Sequence, residues 1–273
     1  MQRILGATLA LLAALPAFAG VVYEVENNNM TTSPGEMTTA SIAFEGKLMK
    51  MDITSANEDQ DGEIIFRADR REMVMVNHGD RSYFVLDEQQ LRAIADQINQ
   101  AMASMEQALA GMPESQRAQM EKMMKDRMPG MGSKPQPSEL KKTGDSDTIN
   151  GYPCVRYEVW RGDTKERELW VTDWSNVTGG SEAAQVFMEM ASFMQEMLDS
   201  MPQMGEAESF GDATFEHMRE MNGYPVMTRE FDASGAVQYE SKLISAQEST
   251  LDPADFEPPK NYKRKDIMKG MRR

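Results

Sequence analysis

"NGYPCVRYEVW" at 150–160 and "NGYPVMTREFD" at 222–232 open with the same four residues, and each copy runs on into alternating side chains. Asn-Gly is the preferred pair for a two-residue hairpin turn, because both residues tolerate positive φ. The Pro holds the preceding Tyr extended and itself suits the first position of a strand. N-G-Y-P therefore reads as a local instruction to turn and begin a strand. After the first copy Val155, Tyr157 and Val159 share one face, and Arg156, Glu158 and Trp160 the other; Arg161-Gly162-Asp163 turns the chain and "ERELWVT" returns. The second copy repeats the plan with "VMTREF", a turn at Ala233-Ser234-Gly235, and "VQYESKLIS". The two copies are expected to start equivalent hairpins of one sheet.

Upstream, Val21 to Leu86 shows the same period of two in "VVYEVEN", "TTASIAFEG", "KLMKMDI", "EIIFRAD", "EMVMV" and "SYFVL", with polar turns between them. Such spacing predicts an antiparallel meander. At Asp87 the period changes. Asp87 is placed to cap a helix, and Leu91, Ile94, Ile98, Met102, Met105, Leu109 and Met112 recur at steps of three and four until Gly111 and Pro113 interrupt. A more charged helix is expected over about 114–128, and "PGMGSKPQPS" at 129–138 reads as a linker. A further amphipathic helix, roughly 181–201, aligns Phe187, Met190, Met194, Met197 and Met201. The pattern is a long antiparallel sheet interrupted by two helical insertions, at about 88–128 and 181–204. Several strands have mixed character on both sides, which leaves open which face is concave.

The first twenty residues, "MQRILGATLALLAALPAFAG", have Arg3 before a short apolar core and Ala17-Phe18-Ala19 at the end. They read as a signal peptide cleaved after Ala19, which implies an exported chain, with a bacterial periplasm the expected location. The apolar run is shorter than the roughly 20 residues of a membrane span, and no Cys near it offers a lipid anchor. An exported fold with Cys154 as its single Cys holds without internal disulfides, and that thiol is expected to be buried. The chain carries −15, which argues against nucleic acid as a partner. Its last stretch, Lys260 to Arg273, has seven basic residues against Asp266. Such a tail either stays solvated or touches anionic lipid head groups. The domain plan is a signal peptide at 1–19, a single β domain with its helical insertions at 20–262, and a basic tail at 263–273.

Taken together, "GKLMKMDI" (46–53), "SYFVLD" (82–87), "TGDSDTINGYPCVRYEVW" (143–160), "ELWVTD" (168–173) and "DFEPPKNYK" (255–263) resemble the bacterial domain-of-unknown-function 4412 family, of the LolA-like superfamily. The resemblance implies an α+β fold: a curved antiparallel sheet, an unclosed half-barrel, with amphipathic helices inserted between strands and packed in its mouth. It also implies a concave face that binds lipid acyl chains in several members. The Met-rich helices and the basic tail depart from that pattern, and no family motif assigns ligand residues one by one.

No catalytic site is legible. Gly144-Asp145-Ser146 matches the start of a GDS-type lipase motif, but no oriented His base accompanies it. His78 and His217, the only two His, do not make a zinc site. "NEDQDG" at 57–62 spaces oxygen ligands as a calcium loop does, yet Ala68 stands where a bidentate Glu is needed, and an acidic hairpin tip accounts for it. The 26 Met carry the strongest compositional signal. Three readings stand side by side: helix packing, an adaptable apolar groove, and soft thioether ligation of Cu(I) by Met120, Met123 and Met124. The preferred reading is a non-enzymatic binding protein without cofactor. In it Ile98, Met102, Met105, Phe187, Met190, Met194 and Met197 shield or line a concavity for a lipid or lipoprotein acyl chain. A periplasmic copper-binding protein and an envelope-stress or assembly protein with a protein partner are the alternatives.

Overall fold

The computed structural model describes residues 19–31, 37–54, 61–110, 113, 137–200 and 212–266. Six strands come first: β1 Ala19–Asn29, β2 Met37–Glu45, β3 Leu48–Ile53, β4 Gly62–Arg67, β5 Glu72–Asn77 and β6 Ser82–Asp87. Helix α1 (Glu88–Ala110) follows, and the Asp87 carboxylate accepts from the Gln90 backbone N–H at 2.8 Å, the cap its position predicts. Next come β7 Ser138–Ile149, β8 Tyr152–Arg161, β9 Thr164–Asp173, α2 Gly180–Ser200 and α3 Asp212–Met221. The chain ends in β10 Gly223–Phe231, β11 Val237–Thr250 and the two-residue β12 Lys263–Arg264.

All twelve strands form one sheet in the order β12-β6-β5-β4-β3-β2-β1-β11-β10-β9-β8-β7. Every pairing is antiparallel except that of β12 with β6. β7 and β12 stay at the two edges, so the sheet does not close. It is curved. The Tyr23 ring lies 5.1 Å from Phe44 and 5.2 Å from Tyr224, while β2 and β10 are three strand spacings apart, about 14 Å on a flat sheet. Rings on this face converge, which makes it the concave one. Bulges at Glu24/Val25, Lys142/Ser146 and Pro225/Met227 supply the bending.

The two N-G-Y-P copies both start hairpins of this sheet, by different local geometry. Asn150 (φ 48°) and Gly151 (φ 85°) are both left-handed and form the turn between β7 and β8. In the second copy only Asn222 is left-handed (φ 45°). It ends α3, with its N–H donating to the Met218 carbonyl at 3.3 Å, and Gly223 already belongs to β10. Gly223 is needed for room: a Cβ there would press on the Thr172 carbonyl oxygen and sit 2.7 Å from Val171 Cγ1. Gly151 has open space around it and is needed for its φ. Gly151→Ala is expected to cost about 1–2 kcal/mol, read from the urea midpoint with the m-value unchanged.

The two faces are built differently. The concave face carries the main core, from Val21, Tyr23, Phe44, Met49 and Phe66 across to Val226 and Leu243. On the convex side, Ile65, Val74, Val76 and Val85 of β4–β6 are covered by Phe256, which is 1% exposed, with Leu251 and Tyr262 beside it. Apolar residues therefore occur at both parities in "EIIFRAD" and "EMVMV". Glu257 anchors this C-terminal strap on Arg67 and Arg70. Burial pushes its carboxyl up, and the two guanidiniums outweigh that and hold it below the usual range. Over β7–β11 the convex face is charged instead. Lys141, Glu158, Glu168, Arg229 and Glu240 are successive cross-strand partners, forming one row across five strands. Glu168, 7% exposed, is ringed by Arg156, Lys165 and Arg229 at 3.5–4.0 Å and accepts from Trp170 Nε1 at 3.1 Å.

Candidate functional site

The concave face is roofed by helices. Along α2, Ala183, Val186, Phe187, Ala191, Phe193 and Met194 fall at helical spacing and are buried against the sheet. Phe187 contacts three rings, Phe44 at 5.4 Å, Trp174 at 5.9 Å and Tyr224 at 6.4 Å, and Phe193 lies 5.8 Å from Phe66. The helix thus bridges both halves of the sheet. Its ends carry the polar ties. Glu182 accepts from the Gly46 backbone N–H in the β2–β3 turn, and Arg71 of the β4–β5 turn pairs with Glu196 at 2.5 Å. Just before α2, the Tyr23 hydroxyl donates to the Thr178 carbonyl at 3.0 Å. α1 adds Leu91, Ile94 and Ala95 to the same core, and α3 adds Met221 to a cluster with Val159, Leu169 and Val171.

The tyrosines of the two N-G-Y-P copies meet here. Tyr224 stacks edge-on with Tyr23, and Tyr152 packs on the same core. Burial pushes the Tyr23 and Tyr224 hydroxyls far above the ordinary tyrosine range, so both stay protonated donors at any physiological pH. The Asn150 side-chain amide donates to the Leu243 carbonyl at 2.7 Å, tying the β7–β8 turn to β11. Cys154 is 3% exposed in this core, and burial pushes its thiol up. A maleimide should therefore leave Cys154 untouched in native buffer and label it fully in 8 M urea; labelling at the native pH would place the thiol at the surface.

Among the residues singled out from sequence, the structure brings Phe187 and Met194 into the core, with Met190 and Met197 partly buried against it. Ile98, Met102 and Met105 belong to α1, but their side chains lie outside the described residues, as do Met120, Met123 and Met124 entirely. Asn57 and Asp59 of the acidic loop are outside them too. No group of three His, Cys, Asp or Glu suited to a metal occurs among the described residues. Gly144-Asp145-Ser146 forms the bulge of β7, where Gly144 has φ 84° and Asp145 pairs with Arg156. No helix among the described residues is long and apolar enough to cross a membrane.

The model of the domain of unknown function DUF4412 matches residues 90–262. The chain belongs to this family. The expectation drawn from short motifs is met, and the twelve-stranded open sheet with helices on its concave face is the half-barrel that the resemblance implied. No curated protein matches the chain. Among solved structures it is similar to an uncharacterized conserved protein from Thermus thermophilus, with 7% identity, a TM-score of 0.45, and 91% of this chain and 90% of that one covered. It is also similar to the MucA/MucB complex of Pseudomonas aeruginosa, with 7% identity, a TM-score of 0.38, and 90% of this chain but 58% of that one covered. A third is a putative outer membrane lipoprotein-sorting protein domain from Vibrio parahaemolyticus, at 10% identity and a TM-score of 0.21, covering 88% and 90% of the two chains.

Proposed function

We propose that this DUF4412 member is an exported, non-enzymatic binding protein that holds a lipid or lipoprotein acyl chain on the concave face of its sheet, with α2 as the displaceable roof. The observation that carries this reading is the nature of the roof. The middle of α2 contributes apolar contact, and the polar ties described for it lie near its two ends. An acyl chain can replace that contact in kind. Burying Val186, Phe187, Phe193 and Met194 is worth ~6–12 kcal/mol, at ~1.5–3 kcal/mol per side chain. A sixteen-carbon chain at ~0.8 kcal/mol per methylene offers ~12 kcal/mol. The two are of one size, so exchange of helix for ligand costs little net. Met190, Met194 and Met197, with flexible unbranched side chains, suit a surface that repacks around different chains. Ile98, Met102 and Met105 of α1 are assigned to the neighbouring wall.

Native mass spectrometry of the protein taken gently from its producing cell tests this. A co-purified lipid or acylated peptide is the expected result. A bare polypeptide mass, with no mass shift on adding a long-chain fatty acid, would overturn the reading. A copper adduct on lipid-free protein would transfer the function to the Met clusters.

A further inference from the structure

We propose that the corner of the sheet formed by the β5–β6 turn and β12 is a docking surface for anionic phospholipid head groups. This inference is independent of what the concave face holds. Its basis is the separation of charge. The last fourteen residues carry +6 within a chain of −15, so the rest of the molecule is −21. The first part of that basic stretch is built into the fold. Lys263 and Arg264 pair with Ser82 and Tyr83 of β6. The Lys263 N–H donates to the Arg81 carbonyl at 3.0 Å and that of Lys265 to the Tyr83 carbonyl at 2.8 Å. Tyr262 fixes the approach: its hydroxyl is 2.8 Å from His78 Nδ1, and the Arg81 guanidinium lies 5.6 Å over its ring.

The result is a folded platform that carries Lys260, Arg81, Lys263 and Arg264, all exposed. Among the described residues no carboxylate pairs with any of these four, whereas neighbouring Lys265 is neutralised by Asp80.

A plane of negative charge fits this arrangement better than a protein segment does. A peptide strand needs a sheet edge of some length, and here β12 covers β6 at Ser82 and Tyr83 and itself offers only two residues. A bilayer needs no groove. It attracts the basic corner while repelling the acidic body, so the molecule would stand on the membrane in one orientation.

The experiment is co-sedimentation of the full chain with vesicles of pure phosphatidylcholine, and of phosphatidylcholine with 30% phosphatidylglycerol. Binding is expected only to the second, at least tenfold stronger at 50 mM than at 500 mM salt. The variant R81Q/K263Q/R264Q, with its thermal midpoint checked against the parent, should lose about tenfold in binding. Truncation after Asp266 should leave the triple substitution still effective. Equal binding to both vesicles, or full binding by the triple variant, would overturn the proposal. So would a chain that ignores both vesicles and instead binds soluble polyglutamate.

Discussion

Phe193→Ala should lower the unfolding free energy by about 3–5 kcal/mol, the usual cost of emptying an aromatic site in a packed core. Phe193 is 2% exposed and packs against Phe66, so the space it leaves is walled by the sheet on one side and by α2 on the other. Urea unfolding followed by tryptophan fluorescence reads the loss directly, because Trp174 sits in the same core beside Phe187. The substitution also bears on the roof. If α2 must lift for a ligand to enter, weakening its hold raises the fraction of lifted molecules, and a fluorescent fatty acid should bind the variant more tightly than the parent. Weaker binding would mean that the Phe193 ring is part of the ligand's wall rather than of its competitor.

Gly180→Ala should be comparably severe, at about 3 kcal/mol or more. Gly180 opens α2, and a Cβ on it would collide with the Trp174 carbonyl oxygen and lie 2.9 Å from the carbonyl carbon. Both are main-chain atoms, and Trp174 is held by its ring contacts with Phe187 and Tyr224, so neither side yields cheaply. The start of α2 would have to shift, carrying Glu182 away from the Gly46 N–H. The expected reading is a fall in thermal midpoint of roughly 6–12 °C, with near-ultraviolet dichroism changed at the Trp174 site. A parent-like midpoint would show that the helix start is free to move.

How far the sequence announced this fold differs from segment to segment. β1 to β6 were legible because the concave side is apolar at every second residue and turns punctuate each strand. The Asp87 cap and the Phe187 to Met197 stripe were legible for the same reason, one period held over several turns. α3 was not, because three apolar residues, Phe215, Met218 and Met221, make too short a run to stand out. The second N-G-Y-P was read as a turn because Asn-Gly serves hairpins and helix ends alike, and only the element before it distinguishes the two. The strap was hidden altogether: "LDPADFEPPKNY" has no periodicity, and the burial of Phe256 depends on strands some two hundred residues earlier in the chain. For the concave site, the apolar side chains of α2 were visible, whereas the convergence of Tyr23, Tyr152 and Tyr224 depends on curvature that bulges create.

The placement of β1 and of the strap has a consequence for the order in which the sheet can assemble. β1 is an inner strand, lying between β2 and β11, and the convex side of β4–β6 stays uncovered until Phe256 arrives. β1 therefore lacks one of its neighbours, and the meander its outer cover, until β11 and the strap are in place. Contacts of such long sequence separation make for slow, late closure. In effect the meander leaves a seam on β1 and a bare convex side, and segments far along the chain close both.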